Sequence, residues 1–201
     1  LNHYLPEIEK SDVLERLKLE KHKYFVVSSH REENISSEKN FKGLIDSLNI
    51  LAEKYQFPII VSTHPRTRKM IESKEVQTHP LIQFLKPMGF IDYNALQKNA
   101  FAVLSDSGTI SEESSILNFR ALNIRDAHER PEAMEEAAVM MVGLEVNRVR
   151  QGLSILKSQL RGDERTLRLV ADYSMPNVAD KVVRIVHSYR DYVMRTVWKR
   201  N

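Results

Sequence analysis

The sequence predicts an α/β fold, a parallel sheet with helices on both faces, and three observations support this. Short apolar, β-branched runs recur, each stopped by polar residues. Segments with helical periodicity separate them. With 42% hydrophobic and 28% charged residues over 201 positions, the chain is ordinary for a globular protein able to bury a core. Strands alternating with helices are joined by right-handed crossovers, which makes the strands parallel and covers both sheet faces.

The first strand is residues 24–29 (YFVVSS). Ser36 and Ser37 then offer an N-cap, Glu38 lies in the first turn, and Phe41, Leu44, Ile45, Leu48 and Leu51 share one helix face. Residues 58–62 (PIIVS) form the second strand, followed by a short helix near 69–72, a strand at 81–84 and a helix at 92–98. A strand at 101–105, a helix at 110–117, a strand at 121–124 and a last strand near 139–142 complete the alternation. After Gly143, residues 145–160 and 178–197 are predicted as helices with no strand between them. The second carries Val182, Val186, Tyr189, Val193 and Val197 on one stripe and ends in basic residues around Trp198. A helix docked on its own or a neighbouring domain is preferred to a membrane-surface helix. The predicted organisation is one domain over residues 1–177 and a basic helix over residues 178–201.

Composition excludes several function classes. Thirty Lys+Arg against 27 Asp+Glu give a net charge of +3, which predicts no nucleic-acid partner. The surplus is local: Lys181, Arg184, Arg190, Arg195, Lys199 and Arg200 face only Asp191 in the final segment. Absence of cysteine rules out a disulfide framework, a thiol nucleophile and cysteine-ligated zinc, and suits a reducing, cytoplasmic compartment. No apolar run approaches the roughly 18 residues of a membrane span, and the start is not a signal peptide. That start is Leu1 rather than Met, so the chain is expected to begin inside a longer protein. No Gly-x-Gly-x-x-Gly or Walker lysine is present, which argues against NAD and ATP. No His-x-x-x-His or Glu-x-x-His pair falls on a predicted helix, so neither a metal nor a cofactor is expected.

In a parallel sheet the loops at the carboxyl ends of the strands line the ligand crevice. Four such loops are rich in polar residues: Ser29-His30-Arg31-Glu32-Glu33-Asn34, Thr63-His64-Pro65-Arg66, Ser105-Asp106-Ser107-Gly108-Thr109, and Arg125-Asp126-Ala127-His128-Glu129-Arg130-Pro131. The Ser107-Gly108-Thr109 turn precedes a helix and has the physics of a phosphate site: free backbone N–H groups, two hydroxyls, and a glycine that admits an anion. A plain N-cap is the competing explanation. Glu112 and Glu113 either complement the helix dipole or accept from a ribose diol. His30 and Arg31 supply a titratable donor and a fixed cation, against the alternative of a solvated pair, and His64 carries the same ambiguity. Arg130 is either a phosphate or sugar ligand or an ion-pair partner of Glu129 or Glu132.

Taken in order, His30-Arg31-Glu32-Glu33-Asn34, His64-Pro65, Asp106-Ser107-Gly108-Thr109-Ile110-Ser111-Glu112-Glu113 and Glu129-Arg130-Pro131-Glu132 resemble the non-hydrolysing UDP-N-acetylglucosamine 2-epimerases. The likeness covers essentially the whole chain and corresponds to the C-terminal half of such an enzyme. It implies a Rossmann-like domain, the second of two facing across a cleft in the glycosyltransferase-B architecture, with the nucleotide held mainly here. Residues 121–137 (ALNIRDAHERPEAMEEA) are more similar to the capsule- and O-antigen-forming branch, which inverts C2 of a UDP-2-acetamido-2,6-dideoxy-L-talose-type sugar on the way to UDP-N-acetyl-L-fucosamine.

The resemblance further implies that Ser107, Gly108 and Thr109 bind the diphosphate and Glu113 the ribose hydroxyls. Arg130 and His30 would serve the phosphates and the reacting region, with His30 the catalytic group on this chain; Arg31 and His64 are further ligand-binding candidates. The 86–93 loop would hold the uracil, with Tyr93 near the base and Met88, where glutamine is more usual, limited to backbone contacts. Thr109 stands where many relatives have glycine, and Arg120, which we read as a surface-loop residue, where relatives often have proline. The family's reaction eliminates UDP to a glycal and re-adds it after proton return on the other face of C2. Its base carboxylates come from the first domain, so this chain alone is expected to bind UDP without turning over. The implied partners are UDP, a UDP-N-acetylhexosamine substrate, the missing N-terminal domain and, by analogy, a second copy in a homodimer. Two other readings stay open: the donor domain of a glycosyltransferase-B-type sugar transferase, and a non-catalytic nucleotide-sugar-binding module.

Overall fold

Six strands form one sheet among the described residues of the computed structural model, which covers the chain except residues 32, 33, 35, 36, 64–70, 72–75, 128, 129, 162, 163 and 201. They are β1 (Phe25–Ser28), β2 (Ile59–Ser62), β3 (Ile82–Leu85), β4 (Ala102–Ser105), β5 (Ala121–Asn123) and β6 (Met140–Met141). Their spatial order is β3-β2-β1-β4-β5-β6, and every pairing is parallel. Register aligns the carboxyl ends: Ser28 lies opposite Ser62 and Ser105, Ser62 opposite Leu85, and Ser105 opposite Asn123. The polar loops predicted from the sequence therefore leave one edge. Strand order reverses between β1 and β4, and in open α/β sheets the ligand crevice opens at such a switch point.

Helices cover both faces, as the alternation requires. On one face, α3 (Glu38–Tyr55) and α7 (Val146–Ser158) pack Leu44, Leu48, Leu51, Val149 and Leu153 against Phe25, Val27, Ile59, Val61 and Leu104. On the other, α1 (Leu5–Lys10), α4 (Phe90–Asn99) and α5 (Ile110–Leu117) bring Ile8, Leu96 and Ile110 against Val26, Ile60 and Val103. Alternate strand residues point to opposite faces, which is why Phe25 and Val27 fall in one cluster and Val26 in the other. Each fully buried side chain of this size contributes about 1.5–3 kcal/mol through burial.

Local chemistry sets the helix ends. The Ser37 hydroxyl accepts from the Asn40 N–H at 3.3 Å and starts α3, as predicted. Glu145 does the same for α7, accepting from the Asn147 and Arg148 N–H groups at 3.0 Å each. Gln56 and Asn118 end α3 and α5 in the left-handed conformation. Gly152 lets α7 approach the sheet closely: a Cβ there would lie 2.9 Å from Leu122 and 3.0 Å from Val142.

Three short helices were not predicted: α1, α2 (Val13–Arg16) and α6 (Pro131–Glu135). Each has too few turns for periodicity to register, and tertiary contact stabilises them instead. Ile8 and Val13 are buried in the second cluster, while Asp92 accepts from Ser11 at 2.7 Å and from Arg16. The predicted short helix near residues 69–72 lies outside the described residues. Arg120 is not a simple surface-loop residue. It is half-buried, donates from Nε to the Leu156 carbonyl at 2.8 Å, and sits over the Phe101 ring at 5.6 Å.

The chain divides into two compact units, Leu1–Val170 and Ala171–Asn201. The second contains a 3₁₀ turn (Ala171–Ser174) and α8 (Val178–Thr196), none of whose residues is buried. Val182, Val186, Tyr189 and Val197 of its apolar stripe are exposed. Among the described residues no helix is long and apolar enough to cross a membrane.

Candidate functional site

The crevice between the ends of β1 and β4 is organised by one carboxylate. Asp106, the first residue after β4, is 0% exposed. Its oxygens accept from the Ser29 hydroxyl at 3.1 Å, the His30 N–H at 3.0 Å, the Arg31 N–H at 3.0 Å and the Asn34 side-chain amide at 3.1 Å. Arg31 also donates from Nε to the Asp106 carbonyl at 3.1 Å. A buried charge is tolerated only when paired and hydrogen-bonded, and these donors meet that requirement while fixing the loop after β1. With its acceptors turned inward, Asp106 leaves the crevice to the donors it positions. His30 stands at the rim with its side chain 48% exposed and Nδ1 3.3 Å from the Ser28 hydroxyl.

After Asp106 the chain turns into α5. The Ser107 and Thr109 hydroxyls lie 3.0 Å apart, and the Ser107 N–H donates to Ser105 at 3.1 Å. The Arg130 guanidinium reaches this turn: its Nη2 is 3.9 Å from where a Cβ on Gly108 would stand. Arg130 Nε donates to Glu112 at 2.9 Å. Of the two carboxylates in the first turn of α5, Glu112 thus carries an Arg130 pair; Glu129, a partner considered from the sequence, lies outside the described residues.

Glu113 turns the other way. It accepts from the Gln97 side chain of α4 at 2.8 Å, and burial raises its pKa above the ordinary carboxylate value. Tyr93 sits in the first helical turn of α4, and its ring packs with Met88 against the second core cluster. Burial pushes the Tyr93 phenol up to about 12, so it stays protonated at neutral pH.

These side chains enclose a cleft of about 250 Å³, lined by His30, Met88, Tyr93, Ser107, Thr109 and Glu113 together with Ser28 and Ser105. Six of the ten residues singled out from the sequence therefore line one cavity. Gly108 and Arg130 adjoin it at the α5 turn, Arg31 is turned onto Asp106, and His64 lies outside the described residues, as do Glu32, Glu33 and Glu129. Hydroxyls, a helix N-terminus, a carboxylate and a phenol share this cleft, and a guanidinium adjoins it. This suits a ligand with an anionic group and a vicinal diol. Among the described residues no cluster of three metal-ligating side chains occurs.

Sequence reasoning missed the organising role of Asp106, although a carboxylate directly after a central strand has to be buried and so must collect donors. It also missed Gln97 and Ser28; nothing local marks a glutamine on one helix as the partner of a glutamate on the next.

A family model described as UDP-N-acetylglucosamine 2-epimerase matches residues 1–187. The structure of UDP-N-acetylglucosamine 2-epimerase from Rickettsia bellii is 46% identical with a TM-score of 0.83, covering 100% of this chain and 53% of that one. The Methanocaldococcus jannaschii UDP-GlcNAc 2-epimerase, solved in complex with UDP-GlcNAc and UDP, is 27% identical with a TM-score of 0.77, covering 92% and 51%. A curated UDP-N-acetylglucosamine 2-epimerase from M. jannaschii is 31% identical over 142 residues, 69% of this chain and 39% of its own length. The chain thus spans about half the length of the solved relatives and less of the curated one. With the family match running through the whole sheet and every described residue of the cleft, the chain belongs to the UDP-N-acetylglucosamine 2-epimerase family.

Proposed function

We propose that this chain is the UDP-binding half of an enzyme that inverts C2 of a UDP-2-acetamido sugar by eliminating and re-adding UDP, for surface-polysaccharide synthesis. One observation carries the reading. The cleft at the strand-order switch joins a phosphate-type turn, an exposed histidine, a buried carboxylate and a tyrosine in a family with a relative solved with UDP-GlcNAc and UDP.

In this reading the diphosphate lies on Ser107, Gly108 and Thr109 at the start of α5, with Arg130 and His30 beside it. Glu113 accepts from the ribose hydroxyls, and Tyr93 with Met88 backs the uracil. Breaking the anomeric C–O bond loads negative charge onto the departing diphosphate, which the helix N-terminus and the cations stabilise. Removing the C2 proton calls for a carboxylate base with access to the sugar. Glu113 is committed to Gln97 and the ribose, and Asp106 to its donors; the family resemblance implies that the base carboxylates lie in the domain that precedes this one, outside this chain. The same part covers the apolar stripe of α8, and the chain alone binds UDP without turnover. The cysteine-free sequence suits work in the cytoplasm.

Calorimetric titration with UDP, with ADP as base control and Glu113→Ala as site control, tests this. UDP should bind in preference to ADP, and Glu113→Ala should weaken it about 10- to 100-fold, the worth of one or two charge-assisted hydrogen bonds. Equal binding of ADP, or an unchanged affinity in the variant, would refute the site assignment.

A further inference from the structure

At the opposite edge of the sheet, the ends of α5 and α7 and the start of β5 surround a pocket of about 50 Å³. It is lined by Arg120, Arg161, Arg165 and Arg168, with Ser115 and Leu156 among its other residues, and among the described residues no carboxylate lines it. The guanidinium groups are held mainly by neutral acceptors. Arg120 donates to the Leu156 carbonyl at 2.8 Å, and both terminal nitrogens of Arg165 donate to the Ser115 carbonyl at 3.1 Å. Carbonyls satisfy hydrogen bonds without cancelling charge. Among the described residues, Arg168 alone of the four has an ion-pair carboxylate in reach, Glu136 at 3.6 Å, and its side chain is largely exposed. Arg161 differs again: its Nη2 is buried and has no hydrogen-bond partner among the described residues. Burial, and then the nearby Arg120 charge, pull the Arg161 pKa down to about 9. A partly buried guanidinium beside another cation, with one buried donor unused, is costly unless an anion completes the site.

We propose that this pocket is an anion site, separate from the nucleotide cleft, which takes one phosphate-class oxyanion on Arg161, Arg120 and Arg165. The volume suits a single tetrahedral oxyanion, free or as the terminal group of a phosphomonoester, and guanidinium forks match its oxygens. The anion would join the end of α5 to the segment around Arg161 and Arg165. Because α5 begins at the Ser107-Gly108-Thr109 turn, occupancy would brace the helix whose other end faces the cleft.

Thermal unfolding and calorimetry in phosphate-free buffer, then with inorganic phosphate or glycerol phosphate, test the proposal on wild type, Arg161→Gln and Arg130→Gln. Phosphate should stabilise wild type and Arg130→Gln, and Arg161→Gln should weaken its binding about tenfold or more. Without phosphate, Arg161→Gln should be at least as stable as wild type, because it removes an uncompensated, partly buried charge. Glycerol phosphate matching inorganic phosphate would assign the site to phosphoryl ends in general; no response to it would restrict the site to the free ion. The proposal is overturned if phosphate gives no effect, if Arg161→Gln responds like wild type, or if the response disappears in Arg130→Gln instead. Destabilisation by Arg161→Gln in phosphate-free buffer would also overturn it, since that would mean the protein itself neutralises Arg161.

Discussion

Replacing Asp106 with alanine removes the acceptor shared by the Ser29 hydroxyl, the His30 and Arg31 amides and the Asn34 side chain, all at 3.0–3.1 Å. A hydrogen bond to a charged acceptor is worth about 1.5–3 kcal/mol, and a buried donor left unpaired costs about 1–3 kcal/mol. Simple addition over four donors overshoots, because water enters the vacated space and the loop relaxes. The expected loss is therefore about 3–5 kcal/mol, in the range for breaking a buried charge network. At about 2–4 °C per kcal/mol for a chain of this size, the midpoint should fall by roughly 10 °C. Asp106→Asn can keep an oxygen at the Oδ2 position that all four donors use and sets its amide against the His30 N–H at Oδ1, so it should cost less, about 1–3 kcal/mol, for the lost charge and the one opposed donor. Urea unfolding followed by circular dichroism measures both, and hydrogen exchange at the His30 and Arg31 amides reports the loop directly. Asp106→Ala costing less than about 1 kcal/mol, or amides that stay protected in it, would show that the carboxylate does not organise this loop.

Other outcomes follow from the same geometry. Burial raises the Glu113 pKa in the folded chain, so its contribution to stability is full below the unfolded value near 4.5 and is lost as pH rises through the folded value. Glu113→Gln should therefore gain stability on wild type as pH increases from 4.5 to neutrality while losing UDP affinity; a constant difference across that range, read from unfolding at several pH values, would contradict this. Gly108→Ala meets only Arg130 at 3.9 Å, so unfolding midpoints should hardly move, whereas UDP affinity should drop because the new methyl stands between the guanidinium and the turn. Gly152→Ala gains about 1 kcal/mol of helix propensity but forces a methyl within 3.0 Å of Leu122 and Val142, both buried, at about 1–3 kcal/mol. A net loss near 1 kcal/mol is expected, and a more stable variant would mean that α7 moves away from the sheet freely.

Much of the fold was legible because its signals are local. The run at residues 24–29 forms β1 within a residue at each end, and Ser37 caps α3 through its own side chain. The polar loops could be assigned to one edge because parallel strands share a direction. The short α1, α2 and α6 escaped notice because five or so residues carry no readable period, and Arg120 was taken for a surface residue because nothing beside it in sequence reveals Phe101 and Leu156.

What the sequence determined by itself was the set of strands, the helices long enough to show periodicity, and the chemical types that end at the carboxyl edge. Each depends on residues a few positions apart, whose backbone preferences and side-chain period act before any long-range contact forms. Only the tertiary structure decided which of those groups meet. The register of β1 against β4 brings Asp106 to the loop 75 residues earlier, sends Glu112 to Arg130 and leaves Glu113 for Gln97 and the cleft. Those choices are settled by packing and by the demand of each buried charge for a partner, and neither can be read from spacing along the chain.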